Sequence, residues 1–501
     1  MNEDDTLLVT VTSRQNTIMR VRESVTPELT FNYSSEKNVG EAEEKENAAC
    51  IAATTTFLHY FVLIILGLAS WSLLWCAFGE EWSWNGRWFR PAVVAAIAWV
   101  AGEILQMTTT LPPLLAALIT GIAARNIGYL DMRHYTAIDG FMRKIYPVLI
   151  LGKGSLGWNL TYMRQNWKQV ASLGVLPWTA EVVTLAVCMN LLLGYPWIWG
   201  FLLGSIYASV SCPILMPTVV KLTAGKNLGQ NWPQLICTSG GTDTALSVTA
   251  FGIIHSFIMY DGDDTVYRYT RAACALFLGT VAGVIWGTLA KFVPHARDAY
   301  VTELRVLFVL VGGLCALFIT SHFGWGGAGG IAVLACNATA AHHWAKAGWK
   351  LNNNPASTAY RIMWSSVEPI LFAYTGTFFV IHPSLSRVML VGFGVLVVCL
   401  AVRLITAFLV CASLSVRERL FVCCAWVPKS IVEAVLCPIA ITAFISTGRH
   451  DKVQIEYAET LMRIIVQAIL ITTPIGFLLT KHLGPILLRE KHKKCQNESE
   501  I

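Results

Sequence analysis

The residue in this sequence best placed to do chemistry is an aspartate in the middle of an apolar run. Asp243 lies within the stretch from about Trp232 to Ile258, long enough to cross a bilayer as a helix. An ionisable group at that depth costs roughly 2.5–3.5 kcal/mol on insertion scales, so it must face protein or water, and by default it marks an ion or proton path. Ser239, Gly240, Ser247 and Ala250 fall three to seven residues away and share its helical face, which is small and partly polar. The plainer alternative is a carboxylate that only holds two helices together.

Other charges lie equally deep. Glu181 is central in a run at about 169–194, with Thr184 one turn on, and Arg403 is central in a run at about 386–414, with Thr406 one turn on. Lys429 and Glu433 stand i,i+4 in a run at about 419–446, close enough to pair on a helix. Glu181 with Arg403, and Lys429 with Glu433, are expected to neutralise one another and to hold irregular backbone in place. Glu368 lies in a run at about 360–381, while Glu103 and Lys153 read as local packing or boundary residues.

The elements that must position these side chains are membrane helices. A hydrophobic fraction of 55% with only 14% charged residues, and a mean hydropathy of +0.54, do not fit an ordinary soluble protein. About fourteen apolar runs fill the chain from Phe57 to Leu488, which predicts an all-α polytopic membrane protein. Residues 1–53 form an acid-rich stretch expected to be a flexible cytoplasmic tail. Residues 54–488 form the transmembrane domain, and 489–501 a cytoplasmic C-terminal tail. Lys221, Lys226, Lys291, Arg297, Arg305, Lys346, Lys350, Arg417 and Arg419 bias the short loops so that both termini face the cytoplasm. The net charge of +6 is scattered over loops and tail and is no nucleic-acid signal. The fourteen cysteines lie mostly inside apolar runs without a Cys-x-x-Cys pair, so no disulfide or metal framework is expected.

Two runs are punctuated by paired prolines, Pro213 and Pro217 in the sixth and Pro428 and Pro438 in the thirteenth. Each proline removes a backbone donor and crowds the preceding turn, so both helices are expected to unwind near these prolines, close to mid-membrane. Such breaks survive in lipid only where the freed groups line a protein cavity. Both runs contain Cys-Pro-Ile, at Cys212 and Cys437, and they stand seven spans apart. An odd offset inverts the second copy, and matched broken helices are the best sequence pointer to a transporter's binding site. The runs of Glu181 and Arg403 also stand seven apart.

The motifs Leu111-Pro-Pro-Leu-Leu, Gly121-Ile-Ala-Ala-Arg-Asn126, Val210-Ser with Pro217, Val402-Arg-Leu-Ile-Thr406 and Ala425-Trp-Val-Pro-Lys429 together carry a resemblance. The chain resembles the NHA branch of the cation/proton antiporter superfamily, from the first span to the last. The resemblance implies an inverted-repeat antiporter fold with crossing broken helices. It also implies a homodimer in which an elevator-like core moves against a dimerisation domain. Asp243 matches the family's transport carboxylate, Glu181 and Arg403 a buried acid–arginine pair, and Lys429 a lysine of the second broken helix. The chain departs from the family in two places: Thr242 stands where an acid is common, and Glu433 where a glutamine is common.

The leading expectation is a secondary antiporter of the plasma membrane, not an enzyme, that exchanges protons for Na⁺, Li⁺ or K⁺ without a cofactor. Asp243 would hold either the proton or the metal cation, with the Thr242 hydroxyl and unwound carbonyls as further oxygen ligands. The alternative keeps the fold and carries chloride with protons, because half-helix N-termini attract anions and one acid is missing. An intramembrane metalloenzyme at His342-His343 is disfavoured, since adjacent helical residues point about 100° apart.

Overall fold

The computed structural model describes residue 54 and residues 58–488 except 227, 260–264, 296–297, 326, 350–353, 382–384, 430 and 447–451. Both expected tails fall outside the described residues. Each of the predicted apolar runs carries helix, and eight of the described helices are both long and apolar enough to cross a membrane. The chain divides into two compact units between Gly86 and Arg87. The first contains α1 (58–78) and a 3-10 turn at Gly79–Trp82, where Trp71 stacks on Trp75 and its indole donates to the Trp82 carbonyl at 2.9 Å.

The second unit contains α2 (Phe89–Thr109), α3 (Leu114–Asn126), α4 (Thr136–Ser155) and α5 (Trp167–Leu193). The next helix is interrupted, as α6a (Trp197–Tyr207) and α6b (Cys212–Thr223). There follow α7 (Trp232–Met259), α8 (Thr265–Leu289), α9 (Val301–His322), α10 (Ala328–Lys346), α11 (Pro355–Gly376) and α12 (Leu385–Val410). A second interrupted helix, α13a (Val416–Ala425) and α13b (Ile431–Ser446), leads into α14 (Lys452–Leu487).

Packing sorts these helices into two bundles. In the first, α5 lies against α6a, α7 and α12, and α14 against α12, α13a and α13b. In the second, α3 lies against α2 and α11, and α10 against α4, α8 and α9. Contact between the bundles runs mainly through α4 with α13b, α11 with α13b and α7 with α10. In lipid, helices associate through close packing more than through hydrophobic driving force, so small residues decide how near they come. Gly200 and Gly204 let α6a approach α5 so closely that an added Cβ would stand 3.0 Å from Ala186 and Val182. That approach brings the end of α6a beside Glu181, whose neighbour in sequence is Val182.

Both helices are interrupted as expected, but only one proline of each pair stands beside its break. Helix α6 is interrupted at 208–211, before Pro213, and Pro217 lies inside α6b. Helix α13 is interrupted around Pro428, and Pro438 lies inside α13b. The first-turn position of Pro213 explains this: a helix tolerates proline there because that N–H has no intrahelical partner. Pro217 and Pro438 each leave a carbonyl without its helical donor but do not stop their helices.

Candidate functional site

Where the two interruptions cross, backbone binds backbone: Ser211 N–H donates to the Pro428 carbonyl at 2.9 Å. Pro428 has no N–H to give to the Cys424 carbonyl four residues back, and that carbonyl accepts instead from Thr480 Oγ1 of α14 at 3.5 Å. Helix α14 braces the second break further. Lys429 N–H donates to Thr472 Oγ1 at 3.2 Å, and Thr473 Oγ1 donates to the Lys429 carbonyl.

Four charged side chains meet at this crossing. Asp243 Oδ1 accepts from Val210 N–H at 2.9 Å, and Asp243 Oδ2 accepts from Arg403 Nη2 at 2.7 Å. Arg403 Nη1 donates to Glu181 Oε2 and to the Ala208 carbonyl. Lys429 Nζ forms an ion pair with Glu181 Oε1 at 2.8 Å, donates to the Tyr207 carbonyl and lies 4.4 Å from the centre of the Tyr207 ring. Asp243, Glu181 and Arg403 are 0% exposed and Lys429 1%. Charges so deeply buried persist only when paired and hydrogen-bonded. Here two acids face two bases, and the backbone of the first break supplies both donor and acceptor.

Two expectations drawn from the sequence are corrected by this geometry, and a third is extended. Arg403 pairs with Glu181 as expected and also binds Asp243. Lys429 turns to Glu181 and no described ion pair joins it to Glu433, because Lys429 lies in the interruption rather than one helical turn before Glu433. Thr242 faces α5, where its Cβ lies against Gly174, and its hydroxyl donates to the Thr238 carbonyl at 3.0 Å. Two other hydroxyls lie next to Asp243's own helical turn and backbone donor. Ser239 Oγ, one turn earlier, and Ser209 Oγ, in the first break, are buried with no hydrogen-bond partner among the described residues. Glu433 is buried in the first turn of α13b, and the Tyr207 side chain is within electrostatic reach of both it and Glu181.

Two cavities approach from opposite ends of the helices. One, of about 870 Å³, is lined by Arg143, Val248, His255, Gly330, Val432 and Thr442 among others. The other, of about 750 Å³, is lined by Lys153, Pro213, Pro217, Lys221, Glu368 and Ile431 among others. Along α4 the first cavity covers Thr136 to Leu151 and the second reaches Lys153; along α13b the second stops at Ile431 and the first starts at Val432. The charged cluster lines neither, so in this structure it is closed off between them. Lys153, read from the sequence as a packing or boundary residue, thus forms part of a cavity wall together with Glu368. Asp139 and Arg143, a buried pair at 2.7 Å on α4, do not stand out among the charges singled out from the sequence. Their i,i+4 spacing inside a span was the signal that could have found them.

Residues 92–481 match the family model described as sodium/hydrogen exchanger, transmembrane. The human protein named sodium/hydrogen exchanger 9B2 is 28% identical over 452 residues, covering 86% of this chain and 82% of that one. Human sodium/hydrogen exchanger 9B1 is 27% identical over 431 residues, covering 83% of this chain and 81% of that one. The structure also matches the sodium proton antiporter MjNhaP1 from Methanocaldococcus jannaschii, solved at pH 8. The TM-score is 0.62 and the identity 16%, over 79% of this chain and 96% of that one.

Proposed function

The chain belongs to the sodium/hydrogen exchanger family, and on that premise we propose that it exchanges one proton for one Na⁺ or Li⁺ at Asp243, by alternating access from the two cavities. The observation that carries this reading is the bridging of Asp243 and Glu181 by Arg403 at the crossing of two broken helices. A carboxylate held between a backbone N–H and an arginine is a site that a proton or a cation can compete for. Competition for one carboxylate is enough to couple the fluxes.

The balance of charge supports a one-for-one exchange. Asp243, Glu181 and Glu433 carry three negative charges when ionised, and Arg403 and Lys429 carry two positive ones. The empty set is then −1, and either a proton or a monovalent cation brings it to zero. A neutral site crosses a low-dielectric barrier far more readily than a charged one. The cation's oxygen ligands would be Asp243 with the Ser209 and Ser239 hydroxyls, in place of Thr242. We place the protein in the plasma membrane as a homodimer with both termini cytoplasmic.

The testing experiment uses purified protein in liposomes under imposed Na⁺, Li⁺, K⁺ and Cl⁻ gradients, one at a time. Na⁺ and Li⁺ gradients are expected to drive proton flux that Asp243→Asn abolishes. The comparisons lend no support to chloride coupling, and proton flux driven by chloride but not by Na⁺ would overturn the reading.

A further inference from the structure

Pro438 lies inside α13b and has no N–H to give to the carbonyl four residues back, that of Ala434. A carbonyl released inside a membrane protein needs another donor, because lipid supplies none. Ala434 O has donors, and they come from other helices: Thr375 Oγ1 of α11 at 3.0 Å and Arg143 Nη1 of α4 at 3.3 Å. Helices α4 and α11 belong to the second bundle, and α13b to the first.

Asp139, one turn before Arg143, aims the guanidinium. Arg143 Nε donates to Asp139 Oδ2 at 2.7 Å, and the same oxygen accepts from Thr442 Oγ1 of α13b at 3.1 Å. The guanidinium also lies 5.5 Å from the centre of the Phe378 ring. Asp139, Arg143 and Thr375 are all buried, and Arg143 and Thr442 form part of the wall of the 870 Å³ cavity. Ala434 directly follows Glu433 and stands five residues after Lys429. Whatever holds this carbonyl therefore holds the segment that carries both site charges.

We propose that the Ala434 carbonyl, released by Pro438 and held by Arg143 and Thr375, is a clasp between the bundles that limits how fast the site passes from one cavity to the other. Any slip of α13b past α4 and α11 strands that carbonyl, since its own helix offers no donor. Arg143 and Thr375 are positioning residues; neither touches the transported ion. The rate part of the proposal rests on the exchange reading above, and the stability part does not.

Two substitutions separate a clasp from ordinary packing. Thr375→Val removes one donor at nearly constant shape, and Pro438→Ala gives the carbonyl an N–H from its own helix. Full-length protein in liposomes is assayed for Na⁺-driven proton flux per folded molecule, and in detergent for melting temperature. Thr375→Val is expected to lower the melting temperature and to raise turnover at least threefold with the KM for Na⁺ unchanged. In the Pro438→Ala background the same substitution should change both by less than half as much. Thr375→Ser, which keeps the hydroxyl, should behave as the parent.

Equal effects of Thr375→Val with and without Pro438→Ala would overturn the clasp, as would a change in KM with turnover unaltered. If the parent shows no Na⁺-driven flux, the exchange reading falls, and the melting temperatures alone decide whether Thr375 and Pro438 act on one carbonyl.

Discussion

Replacing Glu433 by glutamine removes one negative charge from a buried set of five while keeping nearly the same shape. On the proposed one-for-one exchange, the parent's empty set carries −1 and is held back, whereas the loaded set is neutral and crosses; that asymmetry would make exchange obligatory. In Glu433→Gln the remaining charges are Asp243 and Glu181 against Arg403 and Lys429, so the empty set becomes neutral and the loaded set becomes +1. The empty site can then return without cargo, while the loaded site, now charged, crosses more slowly and moves one net charge with each Na⁺. A potential of 100 mV acts on one charge with about 2.3 kcal/mol, equivalent to roughly a fiftyfold concentration ratio at room temperature. The assay is radioactive Na⁺ accumulation in liposomes at equal pH on both sides, with the potential set by valinomycin and K⁺. Parent protein should ignore the potential, and Glu433→Gln should accumulate Na⁺ tens of fold. A variant that still moves one proton per Na⁺ and remains blind to the potential would refute the charge argument.

Two further substitutions probe the cluster. Asp243→Asn leaves one acceptor oxygen where Val210 N–H and Arg403 use two, so the protein should melt below the parent temperature while Na⁺-driven proton flux disappears; retained flux at equal folded abundance would remove Asp243 from the mechanism. Arg403→Ala strands Asp243 and leaves Glu181 to Lys429 alone, and breaking a buried pair typically costs about 3–5 kcal/mol. It should therefore melt below the double variant Glu181→Gln with Arg403→Gln, which loses one charge of each sign; equal melting would contradict the bridge.

The features legible in the sequence were those set by local pattern. Apolar run length placed the helices, and the depth of Asp243, Glu181, Arg403 and Lys429 in their runs singled out the side chains that meet. The partners were less legible, because i,i+4 pairing assumes a continuous helix. Lys429 lies where α13 is interrupted, so the spacing to Glu433 said nothing about where its ammonium points. The prolines misled for a related reason. A proline shows which N–H is missing but not whether the released carbonyl finds a donor, and for Ala434 the donors are Thr375 and Arg143, 59 and 291 positions away. Thr242 shows the third limit: one residue of rotation on α7 turns a hydroxyl from the Asp243 face to Gly174 of α5.

The crossing explains how these charges stay buried and what Glu181 does there. A helix running straight through 208–211 would spend its carbonyls and N–H groups on itself. Interrupted, it offers the Ala208 and Tyr207 carbonyls to Arg403 and Lys429, and the Val210 N–H to Asp243. The signs agree with the half-helix dipoles, since α6a ends with its negative end toward the bases and α6b begins with its positive end toward the acid. Both oxygens of Asp243 are occupied, so an arriving cation must take Oδ2 from Arg403. Arg403 can release it only because Nη1 already rests on Glu181 and on Ala208 O. In the proposed exchange Glu181 would thereby be the resting place of the arginine while Asp243 holds the ion. Glu181→Gln leaves an uncharged acceptor there, a weakening of roughly 1.4 kcal/mol between charged and neutral hydrogen bonds. Arg403 would then stay on Asp243, and the KM for Na⁺ is expected to rise about tenfold with Asp243 untouched. A KM that holds steady or falls in Glu181→Gln, measured as Na⁺-driven proton flux, would show that Arg403 does not compete with the cation.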